Sequence, residues 1–259
     1  MTMIPPPDLS KALADLQLHH LAGNLDDLVA RWTRGRLGPR EIVEDIARLE
    51  DEERRRRSAE RRLKEARIGQ FKPMADFDWR WPTALDRERV ERLLALDFLT
   101  VADNAILAGA QGLGKTMIAK NVAYAAVLAG HSTLFTTAST MLSDLGQQDG
   151  PRALGARFRR YALPKLLIID EVGYLSYDAR MADLLFEVVT RRYEKGSILL
   201  TTNLDFHEWP KHFPGAGCVT ALIDRLTHHA EILAVEGRSF RLKEAEERKE
   251  RRKPAKARA

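Results

Sequence analysis

Gly109, Gly114, Lys115 and Thr116 fall in the order Gly-x4-Gly-Lys-Thr, directly after an apolar run at 105–109 and opening a helix-length segment. Each residue type suits a polyphosphate. Gly109, Gly112 and Gly114 let the backbone curl so that consecutive N–H groups face phosphate oxygens, and the helix N-terminus adds its dipole. Lys115 is a point charge long enough to reach β- and γ-phosphates, and Thr116 offers a hydroxyl to Mg2+. Gln111 and Leu113 supply only backbone groups in this reading. The alternative is a glycine turn that merely joins strand to helix. At ordinary glycine usage the pattern arises by chance in roughly one such chain in a hundred, and the strand-before, helix-after context favours the phosphate reading further.

Two further strands end in polar residues that suit the same chemistry. Lys165-Leu-Leu-Ile-Ile-Asp170-Glu171 is an apolar strand closed by two acids. Asp170 would hold Mg2+ through water, and Glu171 would orient and polarise an attacking water. Adjacent acids favour hydrolysis over transfer to a bound hydroxyl. Ser197-Ile-Leu-Leu-Thr-Thr-Asn203 ends in an amide that, beside Glu171, would sense the γ-phosphate. Alone, an Asn ending a strand is a turn residue.

The elements that must position these groups alternate. Apolar runs at 105–109, 133–137, 166–169 and 198–201 are strand-length and separated by helix-length segments, and 181–193 reads as a helix with Leu184, Leu185, Val188 and Val189 on one side. That alternation predicts an α/β fold with a parallel sheet and helices on both faces. Before it, residues 1–67 read as a small all-α domain. One helix carries the stripe Leu9, Ala12, Leu13, Leu16 and is punctuated by Gly23. A second is capped by Asn24 and apolar at Leu25, Leu28, Val29 and Trp32. A third starts at Pro39 and buries Ile42, Val43, Ile46 and Leu49. Residues 68–84 read as an extended linker, broken by Pro73 and Pro82, whose aromatics pack onto the next domain. A core at 85–245 and a basic, disordered tail at 246–259 complete the division.

Composition excludes several classes. The chain of 259 residues is 44% hydrophobic, too apolar for wholesale disorder, and its single cysteine, Cys218, rules out an intrachain disulfide framework. No apolar run approaches the ~18 residues of a membrane span. The start, Met1-Thr-Met-Ile-Pro-Pro-Pro, has no basic or apolar leader region, so a soluble, cytoplasmic protein is expected. The histidines are scattered in sequence, with no carboxylate or thiol at metal spacing, so no structural metal is expected.

The formal charge of +5 is unevenly spread. Residues 8–53 hold 6 basic and 11 acidic side chains, residues 54–72 hold 9 and 2, and residues 237–259 hold 10 and 4. A mildly acidic core with cationic segments fits duplex DNA, held by counterion release. Arg54, Arg55, Arg56, Arg57, Arg61 and Arg62 are the candidate contacts. A solvated, charge-laced helix is the competing reading.

The order of motifs is closer than a generic phosphate-loop protein. Gly114-Lys-Thr, Ile168-Ile-Asp-Glu-Val-Gly-Tyr, Leu185-Phe-Glu-Val-Val-Thr-Arg-Arg-Tyr-Glu, Thr201-Thr-Asn, Trp209, Ala221-Leu-Ile-Asp-Arg-Leu and Gly237-Arg-Ser-Phe-Arg resemble the IstB family over about residues 9–245. These are AAA+ ATPase helpers of insertion-sequence transposition, related to the DnaC helicase loaders. The resemblance implies an AAA+ core that binds ATP and Mg2+, assembles as a homo-oligomer on duplex DNA, selects target DNA and stimulates a partner transposase. It also implies that Arg225 is an arginine finger acting on a neighbouring subunit, and that Arg241 is a second nucleotide-sensing arginine. Without the family, Arg225 reads as a surface residue paired with Asp224. The stretch Phe213-Pro-Gly-Ala-Gly-Cys-Val departs from the family pattern just before the Arg225 helix.

Three rivals remain at this point. A DnaC-like helicase loader shares the motifs. A phosphate-loop small-molecule kinase would act as a monomer without DNA. A DNA-binding scaffold with a vestigial nucleotide site is opposed by the intact Lys115, Thr116, Asp170 and Glu171.

Overall fold

The computed structural model describes residues 8–174, 177–240, 242, 243 and 248. The chain divides into two compact units, Met1–Arg61 and Arg62–Ala259, with the break a few residues before the boundary expected at 67.

The first unit is helical: α1 (Leu9–Asp15), α2 (His19–Gly23), α3 (Leu25–Gly35) and the start of α4 (Pro39–Ala66). Asp8 caps α1 by accepting from the Lys11 amide. The chain breaks at Gln17, φ +63°, well before Gly23. Asn24 does not cap α3 with its side chain; its amide donates instead to the His20 carbonyl at 2.8 Å. Pro39 does begin α4, where its missing N–H costs nothing. Leu21, Leu28 and Trp32 form the small core, with Ile42, Ile46 and Leu49 against it. Val29 and Val43, expected inside, are 47% and 64% exposed. Polar contacts reinforce this core. Glu50 is buried and accepts from the Leu21 amide at 2.7 Å, and Asp45 accepts from the Trp32 indole at 2.7 Å and from Arg48 at 2.6 Å.

The second unit is a three-layer α/β sandwich. Strands β2 (Asn104–Ala108), β3 (Thr133–Thr137), β4 (Leu166–Val172), β5 (Ser197–Thr202) and β6 (Ala230–Ala234) form a parallel sheet in the order β3-β4-β5-β2-β6. The four expected strands are present. The fifth, β6, was hidden because it is an edge strand in which Leu233 alone is buried. A two-stranded antiparallel ribbon joins β1 (Pro82–Ala84) to β7 (Glu236–Gly237).

Alternation along each strand sends side chains to two cores. On one face Ile106, Leu167, Ile169, Ile198 and Leu200 meet α7 (Ala138–Gly146), α8 (Pro151–Ala162), α9 (Ala179–Arg192), α10 (Trp209–His212) and α11 (Val219–Thr227). On the other, Ala105, Leu107, Ile168 and Leu199 meet α5 (Arg87–Ala95) and α6 (Lys115–Leu128). Phe71, Phe77 and Trp79 pack on that second core, as the reading of the linker expected. Asn121 on α6 fixes the linker backbone, accepting from the Met74 amide at 3.0 Å and donating to the Lys72 carbonyl at 2.9 Å.

Arg192 does unusual structural work at the far end of α9. Its side chain is buried, and its guanidinium donates to the carbonyls of Tyr161, Ala162, Pro164, Lys165 and Ser197 at 2.7–3.1 Å. Burial lowers its pKa to about 10, which leaves it a cation at neutral pH. One buried side chain thereby ties the C-terminal end of α8 and the segment after it to the start of β5.

Candidate nucleotide site

The phosphate loop leaves the C-terminal end of β2, where parallel α/β sheets place ligands. Gly109 begins it, its amide donating to the Thr202 carbonyl at 3.1 Å. Three glycines are required by both conformation and space: Gly109 has φ +150° and a Cβ there would lie 2.0 Å from the Val235 carbonyl oxygen. Gly112 has φ +77° and a Cβ there would lie 2.2 Å from Ser239 Oγ; Gly114 has φ +92° and a Cβ would lie 2.6 Å from Phe77. Gly114 precedes α6, so the loop amides and the helix dipole face one cleft. Lys115 is only 9% exposed and donates to the Gly109 and Ala110 carbonyls at 2.5 and 2.7 Å. Gln111 and Leu113 contribute more than backbone. Leu113 is buried, and the Gln111 side chain accepts from the Tyr174 hydroxyl at 3.1 Å.

The acids lie across the cleft, at the end of β4. Thr116 Oγ1 donates to Asp170 Oδ1 at 3.1 Å, and Thr201 Oγ1 donates to the same oxygen at 2.6 Å. The Glu171 amide donates to Thr201 Oγ1 at 2.9 Å. Glu171 itself adopts φ +63°, where the β4–β5 register shifts between Ile169 and Val172. A non-glycine residue in the left-handed region costs of order 1–3 kcal/mol. Here it lifts Glu171 out of the strand alternation, so that Asp170 is buried while Glu171 faces the cleft. Asn203 lines the same cleft, and its buried Oδ1 has no hydrogen-bond partner among the described residues.

These features suit a magnesium nucleotide. A hydroxyl and a carboxylate 3.1 Å apart form a hard-oxygen pair for the ion, and the orphaned amide oxygen can accept from a donor in the cleft such as water.

The cleft has a further wall, to which of the quoted motifs only Gly237-Arg-Ser-Phe-Arg contributes, through Phe240. Lys72, Asp76, Asp78, Trp81 and Phe240 line it. The Phe240 amide donates to the Gly112 carbonyl at 2.8 Å, and the Trp81 indole donates to the Arg238 carbonyl at 2.5 Å. Trp81 and Phe240 meet edge to face at 5.9 Å, with the Lys243 ammonium 4.4 Å above the Trp81 ring and 3.4 Å from Asp78. The Arg80 amide first, then Lys243, hold Asp78 below the usual carboxylate range.

The remaining candidates lie elsewhere. Arg225 does not line the cleft of its own chain; it donates to Thr190 on α9 and sits 4.6 Å from the Phe186 ring centroid. It forms no ion pair with Asp224 among the described contacts. The divergent stretch before its helix is anchored by Phe213, buried and stacked on Tyr177 at 4.9 Å. Arg241 falls outside the described residues, as does the tail from 246 onward apart from Arg248. On α4, Arg55 pairs with Asp51, Arg56 with Glu53 and Glu60, and Arg57 with Glu53, the lacing of a solvated helix. Arg54 and Arg61 show no ion pair among the described contacts. Arg62 belongs to the second unit and donates to the Val127 carbonyl at 3.3 Å.

A model of the IstB-like ATP-binding protein family matches residues 11–248. The chain belongs to this family. The insertion sequence IS21 ATP-binding protein of Pseudomonas aeruginosa is 35% identical over 237 residues, 92% of this chain and 89% of its own. An insertion sequence IS232 ATP-binding protein from Bacillus thuringiensis subsp. berliner is 30% identical over 236 residues, 91% and 94% of the two chains. Among solved structures, DnaI superposes with a TM-score of 0.53 at 17% identity, over 66% of this chain and 91% of its own. That likeness shows the fold alone, the parallel α/β core described above. No helix among the described residues is long and apolar enough to cross a membrane.

Thr201 and Phe240 lie within the quoted motifs, which give them no role, and Trp81 lies outside every motif. A polar residue inside the otherwise apolar strand Ile198–Thr201 is the available signal for Thr201. Nothing local distinguishes Trp81 from the other linker aromatics.

Proposed function

We propose that this IstB-like chain hydrolyses Mg-ATP, assembles on duplex DNA in the ATP state, and assists the transposase of its element in choosing and using target DNA. The observation that carries the hydrolytic part is the linkage of Thr116, Asp170, Thr201 and Glu171 by successive hydrogen bonds of 2.6–3.1 Å.

The residues divide the labour as follows. Loop amides from Gln111 to Lys115 receive the phosphate oxygens, and Lys115 exchanges its carbonyl partners Gly109 and Ala110 for the β- and γ-phosphates. Thr116 and Asp170 hold Mg2+, which when bound neutralises charge on the phosphate oxygens. Glu171 orients a water in line with the γ-phosphate and accepts its proton. Asn203 donates to the γ-phosphate or that water through its amide nitrogen. Trp81 and Phe240 offer aromatic faces to the adenine ring.

Arg225 is proposed to serve a neighbouring subunit. Arg225 is half-buried on α11 and does not line its own cleft, and a finger supplied by a second chain makes hydrolysis depend on assembly. Arg54, Arg55, Arg56, Arg57, Arg61 and Arg62 are proposed to meet DNA phosphates. The carboxylate pairs of Arg55–Arg57 are no obstacle, because exposed ion pairs are worth only about 0–1 kcal/mol. Relatives of insertion sequences match almost the full chain, which favours a transposition helper over a helicase loader.

The test measures ATP turnover with and without duplex DNA, with particle mass recorded in the same solutions. DNA-stimulated turnover by large assemblies is expected. Turnover by a monomer, indifferent to DNA, with phosphate delivered to a small hydroxyl compound, would replace this reading by a kinase.

A further inference from the structure

The ends of α9 and α11 carry a cluster that the nucleotide chemistry does not use. Glu194 lies two residues beyond α9, and His228 and His229 directly follow α11. They are 34 residues apart in sequence, which is why no metal spacing was visible there, yet one carboxylate oxygen and two imidazole nitrogens all lie within 4.8 Å of one another. His229 Nε2 stands 3.8 Å from Glu194 Oε1. All three side chains are exposed.

We propose that Glu194, His228 and His229 form a binding site for a divalent transition-metal ion of the zinc type. Tetrahedral bonds of about 2.0–2.2 Å place ligand atoms about 3.3 Å apart, so small rotations of exposed side chains close the site. The backbone beneath is fixed, since the His229 carbonyl accepts from the Asn104 amide at 2.6 Å. Tyr193 supplies the outer support. Its hydroxyl is hydrogen-bonded to His228 Nδ1 at 2.7 Å, and the rings stack 20° from parallel. That contact holds the His228 ring in place, as outer partners orient ligating histidines. Two imidazoles with one carboxylate select zinc, cobalt or nickel over magnesium or calcium. The ends of two helices also converge here, and their carbonyl dipoles favour a cation.

The site bears on Arg225. Glu194 lies four residues past Thr190 and His228 three residues past Arg225, so the ion ties together the two helices whose contact holds that arginine. With three protein ligands, a fourth position stays open to water or to a group from another molecule.

The experiment titrates tag-free full-length chain, without nucleotide, with Co2+ followed by visible absorption and with Zn2+ followed by calorimetry. One ion per chain is expected. Glu194→Gln and His228→Ala should each weaken binding at least about tenfold, and Tyr193→Phe about tenfold. The pair His19→Ala and His20→Ala should leave binding unchanged. Thermal melting with Zn2+ should rise for the unaltered chain and not for His228→Ala, whose helical circular dichroism verifies folding. Binding that survives Glu194→Gln, His228→Ala and Tyr193→Phe overturns the proposal. So does a cobalt signal abolished by Asp170→Asn, or the absence of any binding.

Discussion

Thr201 donates a 2.6 Å hydrogen bond to Asp170 Oδ1, across the β4–β5 pair. Because the same hydroxyl accepts from the Glu171 amide at 2.9 Å, one side chain sets both the carboxylate assigned to Mg2+ and the strained residue assigned to water.

Thr201→Val keeps the shape and removes the hydroxyl. A hydrogen bond to a charged group is worth about 1.5–3 kcal/mol, so turnover should fall about ten- to a hundredfold, with a raised Mg2+ requirement. Thr201→Ser should restore both. Full turnover in Thr201→Val, read by phosphate release across a magnesium series, would show that Asp170 needs no such partner.

Arg225→Ala should cost at least about a hundredfold in turnover if the arginine completes a neighbour's site. Mixing it with Lys115→Ala chains should recover part of the activity, because the second chain brings an intact arginine to the first chain's intact cleft. Mixtures as inactive as their components would confine Arg225 to its contact with Thr190.

Arg192→Leu fills the space but removes a donor from five carbonyl oxygens, of which that of Lys165 keeps the Ser197 amide. Unsatisfied buried groups cost about 1–3 kcal/mol each before relaxation, and a net loss of about 3 kcal/mol is expected. For a unit of this size that lowers the melting temperature by about 6–12 °C. An unchanged melting temperature would mean that the loop reorganises freely.

Acid should loosen the helical unit in a defined window. The Trp32 indole first, then Arg48, hold Asp45 at a pKa of about 2, and Arg56 and Arg57 hold Glu53 at about 2. Both values are depressed, so the contribution is complete above the ordinary carboxylate range and is lost as pH falls towards about 2. The Trp32 indole proton, followed by NMR, should titrate near there, and Asp45→Asn should abolish that titration. A transition near pH 4 in the unaltered chain would mean that the Asp45 contacts do not persist in solution.

What was legible in the sequence follows from range. Gly109 to Thr116 is a local pattern, and so is the pair Asp170-Glu171; each announces itself within a few residues. Thr201 acquires its role only through pairing with a strand 31 residues away, and Trp81 only because Arg238 to Phe240 return across it. Strand β6 is weakly apolar because it lies at an edge. Val29 and Val43 fit a helical stripe yet face outward, because a core of three buried residues has no room for every apolar position. The fold class, by contrast, rests on periodicity repeated over many elements, which single misplaced residues do not disturb.

The central claim is that Glu171 activates the water that cleaves bound ATP. Its most direct measurement sets nucleotide affinity beside turnover in Glu171→Gln. The account predicts affinity within about twofold of the unaltered chain and turnover lower by about 10²–10⁴. Unchanged turnover in Glu171→Gln, at equal affinity, would contradict it.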